Sequence, residues 1–515
     1  MFHTFSYSNG TMQIATKAWS DFGGHIPLIR SFSFGNNIPP EYPLFPGEPI
    51  RYHFLFYFFV GLLEKLGLQI DWAFNIPSSI SFFLLILTIY YLATTLFQSR
   101  AVGFLSVFLF LFNGSLSFLE FFKIHPISFT IIHDVFTNTA FPSFGPYDGK
   151  IVSAFWNLNI YTNQRHLALP LGLFLLFVFY IVKYDQQKKV LPLFLSTVFG
   201  LLLGLLPFFH SGVFIMFGLT LVTFFLLFPR QRKAVFMILV LGGLLSLPRI
   251  LFLKETATFT PYINLTYLIQ EKLTFLSFFR YWFFNLGLSF FLIPLGVMLS
   301  PKLAKKVFIP FLLIFFVGHS VQLSLEIAAN HKFFNAFLIG GNMYSAFLLV
   351  KFWKLHLFTK PLVIFALFFL MLSGIIDFFP IKNDSYMELA DYPKNPDVAW
   401  IMKHTPKKAV FLNSSYLYHP ASLAGRKIFL GWPYFSWSLG YNTLERDLLR
   451  KKLFNESSLP DFCQSIKKHN LMYVSIENDP SRDFIINKDF FDINFVKSYE
   501  NPNTQLIIYA LQTGC

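Results

Sequence analysis

The sequence predicts a polytopic α-helical membrane protein of about ten transmembrane helices that ends in a soluble α/β domain. Three observations predict it. The chain has 515 residues, 54% of them hydrophobic and only 13% charged, about half the charge of an ordinary soluble domain. That excludes a water-soluble globule and the disordered and fibrous classes. Apolar runs near the ~20 residues needed to cross the hydrocarbon layer recur along the chain. The charge is also unevenly placed. Residues 380–515 hold 30 of the 68 Asp, Glu, Lys and Arg residues, a density close to that of soluble domains, and the remainder is thinly charged.

The elements follow in order. Residues 1–73 form a first external loop. Its segment 52–66 is apolar but short and carries Glu64 and Lys65, so it reads as an interfacial or re-entrant helix. The body, 74–379, holds ten apolar segments: 74–97, 101–119, 166–183, 190–208, 210–228, 233–252, 280–299, 306–323, 333–351 and 360–378. The tail, 380–515, alternates helical and strand patterns. DVAWIMKHT and TLERDLLRKKLF read as helices, the second with Thr443 as its cap, and AVFLNSS, KIFLG, LMYVSIE and TQLIIYALQ read as strands. Two cysteines, Cys463 and Cys515, supply neither a disulfide framework nor a Cys-type metal site.

Net charge is +14, and its placement explains it. Alternate short connections hold 13 basic residues and one acid, Asp185. Short basic loops face the cytoplasm, which puts 1–73, 120–165, 253–279, 324–332 and the tail outside. The positive charge is then a topology signal, and no nucleic-acid partner is needed to account for it.

The outer connections carry polar residues a membrane body does not need. The first holds Asp21 and His25, four apart and so on one face if helical, with Pro27 limiting that helix. A proline-rich stretch with Glu41 follows, then Arg51 and His53. The second holds Asp134 and Asp148 and closes on Gln164, Arg165 and His166; His210 and Lys332 lie on the same side. Cations hold phosphate, and a carboxylate takes a proton from an attacking hydroxyl. Plainer readings stand beside these. Asp21 could cap a helix, His25 and His53 could be structural, Arg165 could reach to lipid headgroups, and Lys332 could pair with Glu326. No His-Glu-x-x-His motif, phosphate-binding glycine loop or nucleotide domain is present.

The stretch from Asp21 to His53, with Ile29-Arg30, Gly35, Pro39-Pro40, Pro43, Gly47 and Tyr52-His53, resembles the first external loop of bacterial GT-C-type integral membrane glycosyltransferases. Asn163-Gln164-Arg165-His166, Gly204 to His210, and Ala424-Gly425-Arg426 with Gly431-Trp432-Pro433 are similar to stretches of such proteins. The resemblance implies a multi-span enzyme that transfers a sugar from a polyprenyl-phosphate donor to a lipid, glycan or protein acceptor on the outer face. Asp21 matches the catalytic base, and Arg51, Arg165 and Lys332 are candidates for holding the lipid phosphate. His25, Glu41, His53, Asp134, Asp148, Gln164, His166 and His210 complete the expected substrate-binding set. No cofactor is implied with certainty; a divalent cation is left open. The implied location is the bacterial cytoplasmic membrane. There are two departures: Phe22 follows Asp21 where many members have adjacent acids, and no apolar span precedes the first loop. The second leads to the expectation that the chain is shortened at its start and that an apolar groove lies along 74–97 or its neighbours. The alternative function is a lipid or glycolipid transporter without chemistry, which should place charges near the bilayer midplane and show paired broken helices.

Overall fold

The computed structural model describes every residue except 144, 146–150, 157, 481 and 512–513. The chain divides into two compact units. A helical unit takes Met1, Ser78–Glu255 and Thr260–Ser385; a mixed unit takes Phe2–Pro77, Thr256–Phe259 and Tyr386–Cys515. The first loop and the tail therefore fold as one body.

The mixed unit begins with a hairpin of β1 (Phe5–Ser8) and β2 (Thr11–Ala15). Its turn, Asn9-Gly10, has positive φ at both residues, the backbone that two-residue hairpins need and that Asn and Gly tolerate best. β2 then pairs antiparallel with the tail strand Tyr386–Ala390, Thr11 opposite Ala390 and Ala15 opposite Tyr386. The helix α1 (Trp19–Ser33) follows and packs on α2 (Leu55–Lys65). Pro27 lies inside α1 and does not end it, contrary to the sequence expectation. It takes up a single break in the hydrogen-bond ladder, and its flanking residues are buried on both sides.

One ion cluster joins the loop to the tail. Arg30 of α1 reaches Asp391 with both terminal nitrogens, at 3.0 and 2.6 Å, and its Nε lies 2.9 Å from Glu64 on α2. Its side chain is 2% exposed, and those of Glu64 and Asp391 are 5% and 2%. Two further contacts seal the join. A Cβ on Gly35 would lie 2.3 Å from the Gly425 carbonyl, so the backbones touch there only because Gly35 has no side chain. Arg426 donates to the carbonyls of Ala424, Thr405 and Met402.

The tail core is a five-stranded mixed sheet. Val410–Asn413 runs parallel to Lys427–Ile428 and Tyr473–Ile476; Leu506–Ala510 and Val496–Asn501 close the sheet antiparallel. Asn442, not Thr443, caps the helix Thr443–Phe454 by accepting from the Glu445 amide, since Asn fills that role well. Cys463 and Cys515 form a disulfide. The low cysteine count excludes a framework of several bridges but leaves room for this one.

The ten apolar segments expected as spans are mainly helical, and they differ in length. Among the described residues six helices are long and apolar enough to cross a membrane: α3 (Ile70–Phe97), which starts in the mixed unit, and Ala168–Gln186, Pro229–Glu255, Lys302–Ser320, Ile327–Leu355 and Thr359–Lys382. Phe275–Leu286 and Ser289–Leu299 form one bent pair, at 89°, hinged at Gly287 with φ +55°. Three further helices are shorter: α4 (Arg100–Leu111), Leu193–Phe209 and Ser211–Leu227. The expected run 101–119 stops at Leu111, and an irregular stretch over 112–117, which includes Asn113 and Gly114, separates it from Phe118–Ile124. Helices Leu193–Phe209 and Arg232–Glu255 pack closely through small residues. A Cβ on Gly204 would lie 2.5 Å from Leu245 Cβ, and one on Gly242 would lie 2.5 Å from Leu203, the close approach that small-residue spacing permits between membrane helices.

Candidate active site

The sequence-selected residues fall into two clusters, one in each unit. In the mixed unit Asp21 occupies the first turn of α1, where the positive end of the helix dipole favours an acid. It is half-buried. The phenols of Tyr52, Tyr57 and Tyr418 lie within its electrostatic reach. Burial pushes all three above the ordinary phenol range, and the Asp21 charge adds to the shift. His25 lies one helical turn on and stacks on Tyr57 at 4.7 Å between ring centres. Both residues thus neighbour Tyr57, so they share a face of α1 as their spacing requires. Trp19 stacks on Tyr418 at 4.0 Å, and the Tyr418 hydroxyl donates to the Trp19 carbonyl. His53 lies against Tyr52 at 3.9 Å. The result is a carboxylate among phenols and imidazoles, a surface able to take a proton and to stack on a sugar ring.

Two residues picked from the same loop are engaged elsewhere. Arg51 pairs with Glu48 at 2.6 Å, donates to the Gly440 carbonyl, and lies 4.4 Å over the Tyr441 ring. Glu41 pairs with Lys427 at 2.5 Å. These contacts tie the proline-rich loop to the tail, as does the Gly431 amide, which donates to Leu44 at 2.8 Å. The Gly-Arg and Gly-Trp-Pro stretches that resembled a family pattern have a packing role here.

The helical unit gathers the cations and most of the imidazoles. Gln164, Arg165 and His166 fill the turn between helices Asn159–Asn163 and Ala168–Gln186. Arg165 is fully buried and does not extend to headgroups; it donates to the carbonyls of Thr162 and Met1, each at 3.1 Å. His166 stacks on His210 at 5.6 Å. His210 sits in extended backbone between two helices and caps the second by accepting from the Val213 amide. Lys332 lies within electrostatic reach of His210 and His331. The Gln164 side chain meets His331 at 3.5 Å.

Asp134 belongs to neither cluster as far as its contacts show. It sits in the short helix Ile131–Thr137 and accepts from Thr130 at 3.3 Å. Asp148 lies outside the described residues. Tyr57, Tyr418 and His331 were not selected from sequence. Tyr418 lies nearly 400 residues from Asp21, and no local spacing could join them. His331 precedes Lys332 directly, so the basic pair was visible even though one member was passed over.

The tail also assembles Ser414, His419, Ser475 and Glu477, a grouping the sequence did not suggest. His419 Nδ1 accepts from the Ala421 amide at 3.0 Å, which leaves the ring proton on Nε2. That one nitrogen meets both Ser475, at 2.8 Å, and Glu477. Nucleophilic serine catalysis needs the hydroxyl and the carboxylate on opposite ring nitrogens. This network instead holds the ends of two strands together, with Glu477 accepting from the Ser414 and Ser415 amides.

No family model matches the chain, and no curated protein matches it in sequence. Solved structures do match. The apo crystal structure of the Archaeoglobus fulgidus oligosaccharyltransferase aligns with 88% of this chain at 10% identity and a TM-score of 0.50. Two further structures of that enzyme, one tethered to an acceptor peptide containing the NVT sequon and one in complex with Zn and sulfate, align with 90% of this chain at 12% identity and a TM-score of 0.45. The chain spans 66% of the length of the apo enzyme. The fold of this chain is therefore similar to that of a membrane oligosaccharyltransferase.

Proposed function

We propose that this chain is a GT-C-type membrane glycosyltransferase that moves a sugar from a polyprenyl-phosphate donor to a lipid, glycan or protein acceptor at the outer face of the membrane. The observation that carries the reading is Asp21, held in the first turn of α1 beside Tyr52, Tyr57 and Tyr418. The likeness of fold over most of the chain supports it, although fold alone does not give function. The disulfide in the tail supports an oxidising compartment for that domain.

The chemistry is one displacement. Asp21 takes the proton of the acceptor as the acceptor heteroatom bonds to the anomeric carbon. The bond from that carbon to the phosphate oxygen breaks, and polyprenyl phosphate leaves with the electron pair. Lys332 and Arg165 stabilise the charge that develops on the leaving phosphate. The anomeric configuration inverts. Histidines 166 and 210 and Gln164 orient the donor.

A transporter reading draws on the bent pair Phe275–Leu286 and Ser289–Leu299, since broken helices line transport sites. One experiment separates the two. Purified protein in vesicles receives a radiolabelled polyprenyl-phosphate sugar and an acceptor extract. An enzyme gives labelled acceptor, and Asp21→Asn lowers its yield by ~10²–10⁴-fold. A transporter moves the lipid between leaflets with no labelled acceptor, and that result would overturn the proposal.

A further inference from the structure

Helix Ala168–Gln186 packs beside α3, and the two approach closely where Gly172 meets Leu85, at 3.5 Å from a Cβ built on the glycine. Next to that contact the helices leave an apolar groove of about 210 Å³, lined by Leu84, Leu87 and Tyr91 on one side and Leu173, Leu176 and Phe179 on the other. The lining positions recur at helical spacing on both helices, so the groove follows their length. Both helices are long and apolar enough to span, so hydrocarbon chains are what this groove meets.

The groove does not end in hydrocarbon. Tyr91 and Phe179 also line a second pocket of about 470 Å³, whose other walls are Thr94, Thr95, Gln98, Ser99, Arg100, Lys183, Gln186 and Gln187. Arg100 and Lys183 are exposed, and among the described residues neither forms an ion pair. The neighbouring acid, Asp185, is taken by Arg230 at 3.4 Å. Ser99 caps α4, so the positive end of that helix opens on the same pocket. Gln98 is already positioned by bonds to Thr95 and Gln186.

An apolar slot that leads to two cations without an ion pair among the described residues, and to a helix amino-terminus, complements a phospholipid with a negative headgroup. We propose that this groove binds one anionic phospholipid, with an acyl chain along α3 and helix Ala168–Gln186 and its phosphate against Arg100 and Lys183. Basic pockets between membrane helices favour such headgroups. Two cations at this position should give about a 10- to 30-fold preference over a zwitterionic lipid with the same chains. The site is separate from the residues assigned to sugar transfer, so it stands or falls independently of that reading.

The test uses the full chain, purified in detergent and delipidated. Phosphatidylglycerol and phosphatidylcholine with identical acyl chains are titrated in turn, and bound lipid is counted by native mass spectrometry. The expected result is one phosphatidylglycerol retained where phosphatidylcholine is lost. The double variant R100A/K183A, which alters two exposed side chains, should bind both lipids alike. Leu176→Trp, which fills the slot, should bind neither. Equal retention of the two lipids by the wild-type chain would overturn the proposal. So would displacement of phosphatidylglycerol by millimolar inorganic phosphate, which would make the pocket an anion site without a lipid. Retention of no lipid by the wild-type chain, together with cross-linking of a Leu87→Cys variant to a second copy, would overturn it as well.

Discussion

The two units handle charge in different ways. In the mixed unit the buried cation Arg30 is matched by two carboxylates, Glu64 and Asp391, and the candidate acid Asp21 sits among phenols. In the helical unit the buried Arg165 donates to backbone carbonyls, and its companions His166, His210, His331 and Lys332 are imidazoles and a cation. The two arrangements divide the labour. A matched cation is a structural rivet, since its charge is spent on its neighbours. A gathering of cations and imidazoles is suited to an anion that arrives from outside. On the proposed function, the acid for proton transfer and the groups for phosphate belong to different units.

The largest expected effect concerns the acid. Asp21→Asn keeps the size and the helix position, and removes the proton acceptor. Transfer should fall by ~10²–10⁴-fold while protein level and thermal midpoint hold. A variant that transfers normally would move the proton acceptor elsewhere and erase the contrast between the units.

Next is the rivet. Arg30→Met leaves Glu64 and Asp391 buried without their cation. Breaking a buried pair in this way costs about 3–5 kcal/mol. Proteolysis should then cut between the first loop and the tail, whereas the helical unit should keep its protection. An unchanged proteolytic pattern would show that the strand pairing of β2 with Tyr386–Ala390 suffices.

The disulfide should matter somewhat less. Cys463 and Cys515 are 52 residues apart, and closing a loop of that order stabilises by about 2–4 kcal/mol. Dithiothreitol should lower the unfolding midpoint of the tail, and Cys463→Ser should lower it without further change on reduction. A midpoint insensitive to reductant would mean the bridge does not form.

The smallest effect belongs to the helical unit. Gly204→Val forces a side chain against Leu245, and such overpacking typically costs about 1–3 kcal/mol. The midpoint in detergent should fall while the tail keeps its own transition. If the tail falls equally, the units are not separable in stability.

The helical unit was largely legible in the sequence because a membrane span writes its own length in apolar residues. What the sequence did not show there was where the apolar stretches break. Asn113-Gly114 and Gly287 sit inside apolar stretches, and hydropathy does not register a break that costs no apolar residue. The mixed unit was half legible. Tail strands such as Val410–Asn413 and Tyr473–Ile476 showed their β-branched and aromatic runs, but Val496–Asn501 is polar on an edge and gave no signal. The opening hairpin was read only as part of the first external loop. Asn9-Gly10 marked its turn, yet its partner strand lies some 370 residues away. In the candidate site, Asp21 and His25 were legible from helical spacing. Tyr418 was not, because tertiary packing brings it to Asp21. Arg51 and Glu41 looked available because a sequence does not show that Gly440 and Lys427 engage them.

On the proposed function, the acid of the mixed unit acts in the chemical step and the cations of the helical unit act on the donor. Steady-state transfer measured against donor concentration, for Asp21→Asn and Lys332→Met side by side, tests it most directly. Asp21→Asn should lower kcat by ~10²–10⁴-fold with little change in donor KM. Lys332→Met should raise donor KM, with a further loss in kcat where the leaving phosphate is less well stabilised. A kcat that holds in Asp21→Asn, or a donor KM that holds in Lys332→Met, would contradict it.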